Sequence, residues 1–286
     1  MTATRRRRKL AKSATTVPFW FHSVDLGDDV VTDGRKSADR LAAEWRALGV
    51  PDLRGKTVLD VGAWDGWFSF RAEQQGASRV VAVDHYAWSI DQAAQQRYWR
   101  ECRTRGETPR PSHEVPELWR PDELPGKAGF DTAHRALESR VESVVGDIMT
   151  MNLDRLGTFD VVLFLGVLRH MRHPLLALER LAKVTSGVLI VETDAVAVPG
   201  FEHHAFCEFL ETDELGSDVN IWWVPNRHAV EGLCRAAGFA RVQSPDDGRS
   251  RPPSRESLHR YPLVVKAWKR AGSPAAGGSA SPPLPG

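Results

Sequence analysis

Residues 58–70 read VLDVGAWDGWFSF. An apolar run carrying one acid, Asp60, meets Gly62; Trp64, Asp65 and Gly66 follow before an aromatic stretch opens. A short run of this kind ending on glycine predicts a buried strand entering a tight turn, with a helix starting near Trp67. Glycines at 62 and 66 allow backbone to approach a ligand without side-chain interference. The helix that follows offers N–H groups with no intrahelical partner.

Four more runs of the same type lie downstream: RVVAVD (79–84), VESVVGD (141–147), FDVVLFLG (159–166) and GVLIVET (187–193). Each is apolar on both faces, as strands covered by helices on either side must be. Helical patterns separate them at 67–75, 89–103, about 131–138 and 174–184, with a last helix at 226–237 that Asn226 can cap and Gly238 can end. Residues 239–243 and 261–268 read as closing strands. The expected fold class is α/β: a doubly wound, mostly parallel, seven-stranded Rossmann-like sheet.

Three segments interrupt the alternation. They are an extension at 17–50 with a helix near 36–48, a Pro-rich insertion at about 104–130, and an excursion at 194–225. All three are expected at one end of the sheet, with the extension acting as a lid on a main domain at 51–270. Residues 1–16 are basic and read as disordered, as does the Gly/Ser/Pro/Ala tail at 271–286.

Hydrophobic residues at 42% and a formal charge of +1 describe an ordinary soluble domain with no global pull toward nucleic acid or an anionic membrane. The three cysteines, Cys102, Cys207 and Cys234, are scattered without CxxC spacing, which supports neither a disulfide framework nor a zinc site. No apolar stretch approaches the roughly 20 residues that span a bilayer. The RRRRK run at 5–9 lacks a following apolar segment, so a cytoplasmic location is the expectation. Its short length makes it a weak sign of RNA contact.

In an open parallel sheet, ligands bind beyond the carboxyl ends of the strands. Asp84 ends the second strand 24 positions after Asp60 (84 − 60), where an acid can accept both hydroxyls of a ribose. Asp147 ends the third, within reach of a nucleobase. A pyrophosphate cradle wants GxGxxG; here Trp64 stands where phosphate would pass. A methionine moiety carries an ammonium and a sulfonium, which favour Asp60 and nearby aromatic surface. The pattern points to a sulfonium nucleoside.

The chain resembles the class I S-adenosylmethionine-dependent methyltransferases. Within them it looks like the branch of the bacterial tRNA wobble-uridine (5-oxyacetate) carboxymethyltransferase and its small-molecule relatives. The likeness rests on FHSVDLGDDVVTDG (21–34), LRGKTVLDVGAWDGWFSF (53–70), VVAVDHY (80–86), GVLRHMRHPLLALERL (166–181), VLIVET (188–193) and NIWWVPNRHAVEGLCRAAGF (220–239). It implies S-adenosyl-L-methionine as cofactor. Asp60, Gly62, Ala63, Trp64 and Gly66 would then lie on the methionine side, Asp84 and His85 at the ribose, Asp147 and Ile148 around adenine, and Gly166 near the transferred methyl. The branch usually carries Tyr-His after Gly-Val-Leu and uses that region to hold a carboxylated cofactor. Arg169 replaces the tyrosine here, so ordinary S-adenosylmethionine is expected.

Transfer to a hydroxyl or protonated amine needs a base. His170, in LRHMRHP, is the first candidate, or else it packs structurally; His173 caps a helix or faces solvent. His22 and Asp25 face an acceptor if the extension is a lid, or form a turn whose neighbours Phe19, Trp20 and Phe21 pack on the sheet. Glu192 is a strand-end carboxylate at the same edge. FEHHAFCEFLE (201–211), with Glu202, His203, His204, Glu208 and Glu211, lacks a metal-binding pattern and reads as acceptor contacts, with no metal. Of Trp222 and Trp223, one should pack and one line the pocket. The expected partner is a small-molecule acceptor, a sugar or another secondary metabolite. tRNA is the less favoured alternative, and a homo-oligomer is compatible with the sequence.

Overall fold

The structure is a computed structural model describing residues 3–201, 203–245 and 258–269. The expected disordered tail at 271–286 lies outside the described residues. Strands β1 (Thr57–Val61), β2 (Arg79–Asp84), β3 (Glu142–Val145), β4 (Phe159–Leu165) and β5 (Thr185–Ala197) run parallel. A two-stranded ribbon, β6 (Cys207–Phe209) and β7 (Trp223–Pro225), stands apart. Strands β8 (Arg241–Gln243) and β9 (His259–Trp268) close a seven-stranded sheet of order β3-β2-β1-β4-β5-β9-β8, with β9 antiparallel to both its neighbours. Strand order reverses between β1 and β4, which makes the carboxyl ends there the place for a ligand.

The helices are α1 (Ala3–Thr16), α2 (Ala38–Leu48), α3 (Trp67–Gln74), α4 (Tyr86–Ser89), α5 (Gln92–Arg105), α6 (Ala128–Ala136), α7 (Pro174–Val184) and α8 (Arg227–Ala236). The period-2 pleat sends alternate strand residues to opposite cores. Leu59, Val61, Val81, Val83, Val162 and Phe164 pack on one face with side chains of α7 and α8. Val58, Val80, Ala82, Val161 and Leu163 pack on the other with the extension, α3 and α6. Two buried faces explain why these strands read as unbroken apolar runs.

Several elements differ from the sequence expectation. Residues 3–16 form α1 rather than disorder, because the run is rich in helix-forming Ala, Arg and Lys and has something to bury. Leu10 enters the core, and the Trp20 indole donates to the Ala14 carbonyl at 3.0 Å. The helix expected at 89–103 starts later, at Gln92, because Asp91 caps it by accepting from the Ala94 N–H at 2.9 Å, and the short α4 precedes it. Strand β5 runs on to Ala197, since β9 pairs with it from Val188 to Ala197. Asn226 caps α8 as read, accepting from the Ala229 N–H at 2.9 Å. No helix among the described residues is long and apolar enough to cross a membrane.

Gly66 opens α3 with φ +81°. A Cβ there would lie 2.6 Å from the Phe130 ring and 2.8 Å from Phe70. Its need for glycine comes from backbone conformation and aromatic packing. Gly66→Ala should therefore destabilise the fold by about 1–3 kcal/mol, the range for overpacking and left-handed strain. Urea unfolding measures it, and an unshifted midpoint would contradict this account.

Candidate functional site

A cavity of about 1320 Å³ opens at the carboxyl ends of β1, β2, β4 and β5. That exceeds the roughly 300–1,000 Å³ of a typical single-ligand pocket and leaves room for two molecules. On the β1 and β2 side, Asp60, Gly62, Trp64, Asp84 and His85 line it, joined by Asp147 and Ile148 from the turn after β3. Gly166, Glu192 and His170 line the β4 and β5 side, and His22 comes from the extension. Ala63 and Gly66 do not line the cavity. Ala63 packs in the core and Gly66 against aromatic rings, so both shape the loop from behind.

The two strand-end acids are held differently. Asp60 accepts the Ser69 hydroxyl at 2.6 Å, and burial pushes its carboxyl up to about 7. Asp84 accepts two backbone N–H groups, from Trp64 and Ala87, each at 3.0 Å. Burial raises its pKa while these N–H groups oppose the rise. A carboxylate offers about four lone-pair sites, so Asp84 keeps acceptor capacity for a pair of hydroxyls. Asp147 accepts the Met149 N–H at 2.8 Å. A strand end carrying buried acids repels a diphosphate and suits a cation.

Asp65 was not read as functional from sequence. Its buried carboxylate accepts the backbone N–H groups of Phe21 at 2.7 Å and His22 at 2.8 Å, and burial pushes it up to about 7. Trp64, at φ +49°, stacks on Phe21 with centroids 3.9 Å apart and planes 3° off parallel. The first loop thus fastens the extension over the cavity. The sequence shows a second acid in the GAWDG turn but nothing that names its partner.

The base candidates separate clearly. His22 is 4% exposed, and burial, aided by the Lys36 charge, pulls its imidazole down to about 3. Its Nδ1 has no hydrogen-bond partner and sits 4.0 Å from the Asp65 carboxylate. Asp25 is exposed and accepts from the Gly27 N–H, forming a turn away from the cavity. His170 ends a 3-10 turn with Nδ1 2.9 Å from the Asn220 carbonyl, while Nε2 accepts from Arg169 Nε at 3.2 Å. Burial lowers its pKa, and both ring nitrogens are engaged. Arg169 also ion-pairs with Asp194. Glu192 pairs in register with Leu165, and burial raises its pKa.

The remaining candidates resolve as follows. His203 and His204 do not line the cavity; the His204 carbonyl accepts from Asn226 Nδ2, and Glu208 pairs with Arg260. The acceptor role expected for them is not met, because the β6–β7 ribbon turns that segment away. Glu202 lies outside the described residues. Among the described residues no cluster of three His, Cys, Asp or Glu can hold a metal. Trp222 lines the cavity with the Arg172 guanidinium 4.5 Å from its ring, whereas Trp223 does not. His173 is exposed at the cavity edge and occupies the N-cap position of α7, where its side chain makes no capping hydrogen bond. The two insertions meet above the cavity through Tyr86, whose hydroxyl donates to Asn220 Oδ1 at 2.8 Å and whose ring packs on Trp119.

The buried acids carry a pH signature. Asp60 has a folded pKa near 7 against an ordinary 3.8, so the folded state binds its proton more tightly. That contribution is complete below the unfolded value and is lost as pH rises through about 7. The wild-type protein without ligand should lose stability relative to Asp60→Asn as pH rises from about 4 to about 7, and the difference should level off above that. Denaturant midpoints across that window measure the difference, and a constant gap would show Asp60 ionised throughout.

Residues 35–244, most of the chain, match the family described as a methyltransferase domain. The tRNA U34 carboxymethyltransferase of Pseudomonas savastanoi pv. phaseolicola is 31% identical over 201 residues, covering 68% of this chain and 49% of that protein. The Pseudomonas aeruginosa enzyme of the same name is 32% identical over 201 residues, covering 68% and 48%. The chain therefore spans about half the length of the curated relatives it matches. Among solved structures, the N-terminal domain of EvdMO1 with SAH bound superposes with a TM-score of 0.57 at 18% identity, over 92% of this chain and 97% of that one. The same domain crystallised in the presence of SAH and D-fucose gives 0.56, a likeness of fold. With its sheet order, its cavity at the strand-order reversal and a family match over most of its length, this protein is an enzyme of the methyltransferase family.

Proposed function

We propose that the enzyme transfers a methyl group from S-adenosyl-L-methionine to an oxygen or nitrogen of a small molecule, a sugar or other secondary-metabolite scaffold. The observation that carries this reading is one continuous cavity with acids at the β1 and β2 ends that extends over β4 and β5, where we place a second compartment for the acceptor. In this reading Asp60 faces the cationic methionine moiety beside Gly62 and Trp64. Asp84 accepts the ribose hydroxyls with His85 alongside, and Asp147 and Ile148 flank adenine. Gly166 borders the methyl. Holding the acceptor atom in line with the C–S bond supplies much of the rate. The ion pair between Arg169 and Asp194 occupies the cation that a carboxylated cofactor would need, which favours the ordinary cofactor.

Two features favour a small acceptor. The second compartment sits under the extension and both insertions, and Phe21, Trp64 and Trp222 supply flat aromatic surface suited to a sugar or ring. EvdMO1, which shares the fold, was crystallised with D-fucose present. A second reading, modification of a tRNA wobble uridine, is favoured by the names of the relatives and by α1, whose Arg5, Arg7, Arg8, Lys9 and Lys12 are exposed.

Calorimetry should find S-adenosylmethionine binding and NAD binding far more weakly; the reverse order removes the cofactor assignment. Asp84→Ala should weaken cofactor binding by about 1–3 kcal/mol through loss of the ribose hydrogen bonds. Unchanged affinity would move the ribose elsewhere. Labelled-methyl transfer, run in parallel on a tRNA pool and a small-molecule pool, separates the two acceptor readings: label should enter the small molecules, and label in tRNA at low salt would select the second.

A further inference from the structure

The proposed methyl transfer leaves one proton to account for. If the cofactor lies with its ribose at Asp84 on β2 and its sulfonium near Asp60 on β1, the topology sends its reacting end toward β4 and β5. Gly166, just past β4, and Glu192, within β5, lie side by side, since the Gly166 N–H donates to the Glu192 carbonyl at 2.9 Å. The Glu192 carboxylate lines the cavity, with Oε2 3.7 Å from where a Cβ on Gly166 would stand. No hydrogen-bond donor among the described residues reaches that carboxylate. Every other acid lining the compartment is engaged: Glu44 with Lys36 and Arg40, Asp194 with Arg169, and Asp218 with Asn220.

The histidines beside it are unsuited to take a proton. Both nitrogens of His170 are engaged, and His22 sits in a dry aromatic setting against Phe21 and Phe68. Lys36 and Arg169 are the cations whose charges act on Glu192, opposed by Asp194 and Glu44. Both of these cations are held by carboxylates, and Arg35 and Arg172, which also line the cavity, are exposed, so among the described residues no buried cation beside Glu192 is left to bind a phosphate or carboxylate acceptor.

We infer that Glu192 is the general base of the reaction and that the acceptor is a neutral hydroxyl compound whose O–H it receives. This rests on the cofactor reading above. The hydroxyl oxygen attacks the methyl carbon, the C–S bond breaks with its electron pair going to sulfur, and the hydroxyl proton passes to the Glu192 carboxylate. The products are a methyl ether, the neutral thioether and a carboxylic acid that returns its proton to solvent. Burial raises the Glu192 pKa above the usual carboxylate range, which strengthens it as a base.

The test uses labelled S-adenosylmethionine and two panels, one of neutral monosaccharides and their methyl glycosides, one of carboxylic acids and phosphate esters of similar size. Label is expected in the neutral panel. Glu192→Gln should lower kcat at least 100-fold and abolish the acid limb of its pH profile, while SAH affinity and thermal stability stay at wild-type values. Glu192→Asp should recover part of the rate. Wild-type kcat in Glu192→Gln, or an unchanged acid limb, overturns the base assignment; label confined to the anionic panel, or in neither, overturns the acceptor class. A wild-type protein that fails to bind SAH sinks the cofactor reading instead, which is a distinct result.

Discussion

The N–H groups of Phe21 and His22 converge on one oxygen of Asp65, inside a region with almost no access to water. Buried acceptors left without donors cost about 1–3 kcal/mol, more when charged, so this contact holds the extension in a single register. The stacked pair of Phe21 and Trp64 adds apolar surface to the same joint. Everything beyond depends on it. The extension roofs the cavity, and Lys36, which ends the bridge from His22, is placed next to Glu192 and paired to Glu44. The loop after β1 and the extension are therefore joined by hydrogen bonds and by ring stacking.

The electrostatics of the cavity follow from the same enclosure. Asp60, Asp65, Asp84 and Glu192 all have raised pKa values, and in each case desolvation is the largest cause. Asp60 and Asp65 are pushed up to about 7. In the proposed function a cationic ligand arriving at Asp60 would offset the cost of its charge, linking ligand binding to proton release. The arrangement also discriminates, because a diphosphate would meet carboxylates in place of N–H donors.

The fold was largely legible because its strands are buried on both faces. FDVVLFL and RVVAVD announce themselves by unbroken apolar character, and α7 begins at Pro174 where a proline-started helix should. Asp60, Asp84 and Asp147 were legible as acids at or just past strand ends because that position follows from local pattern, whereas Glu192, expected to end its strand, lies within β5 because pairing with β9 carries that strand on to Ala197. α1 was missed since a run of arginines resembles a solvated tail until Leu10 and Trp20 find their neighbours. Gly66 was read as a ligand contact because positive φ and close approach leave the same mark in sequence whether the neighbour is a ligand or a phenylalanine ring.

By itself the sequence determined the strand and helix alternation, the glycine turn after β1 and the row of acids along one sheet edge. Those depend on periodicity and on backbone rules that act over a few residues. The tertiary structure alone decided which side chains are free to act. Asp65 meets Phe21 across 44 positions, and His170 meets Asn220 across 50, so one acid became a fastener and one histidine lost its open nitrogen. Glu192 remained unengaged only because folding placed the donors around it against other partners. Reactivity in a buried site is set by desolvation and by which hydrogen bonds are already made, and both are properties of the packed chain.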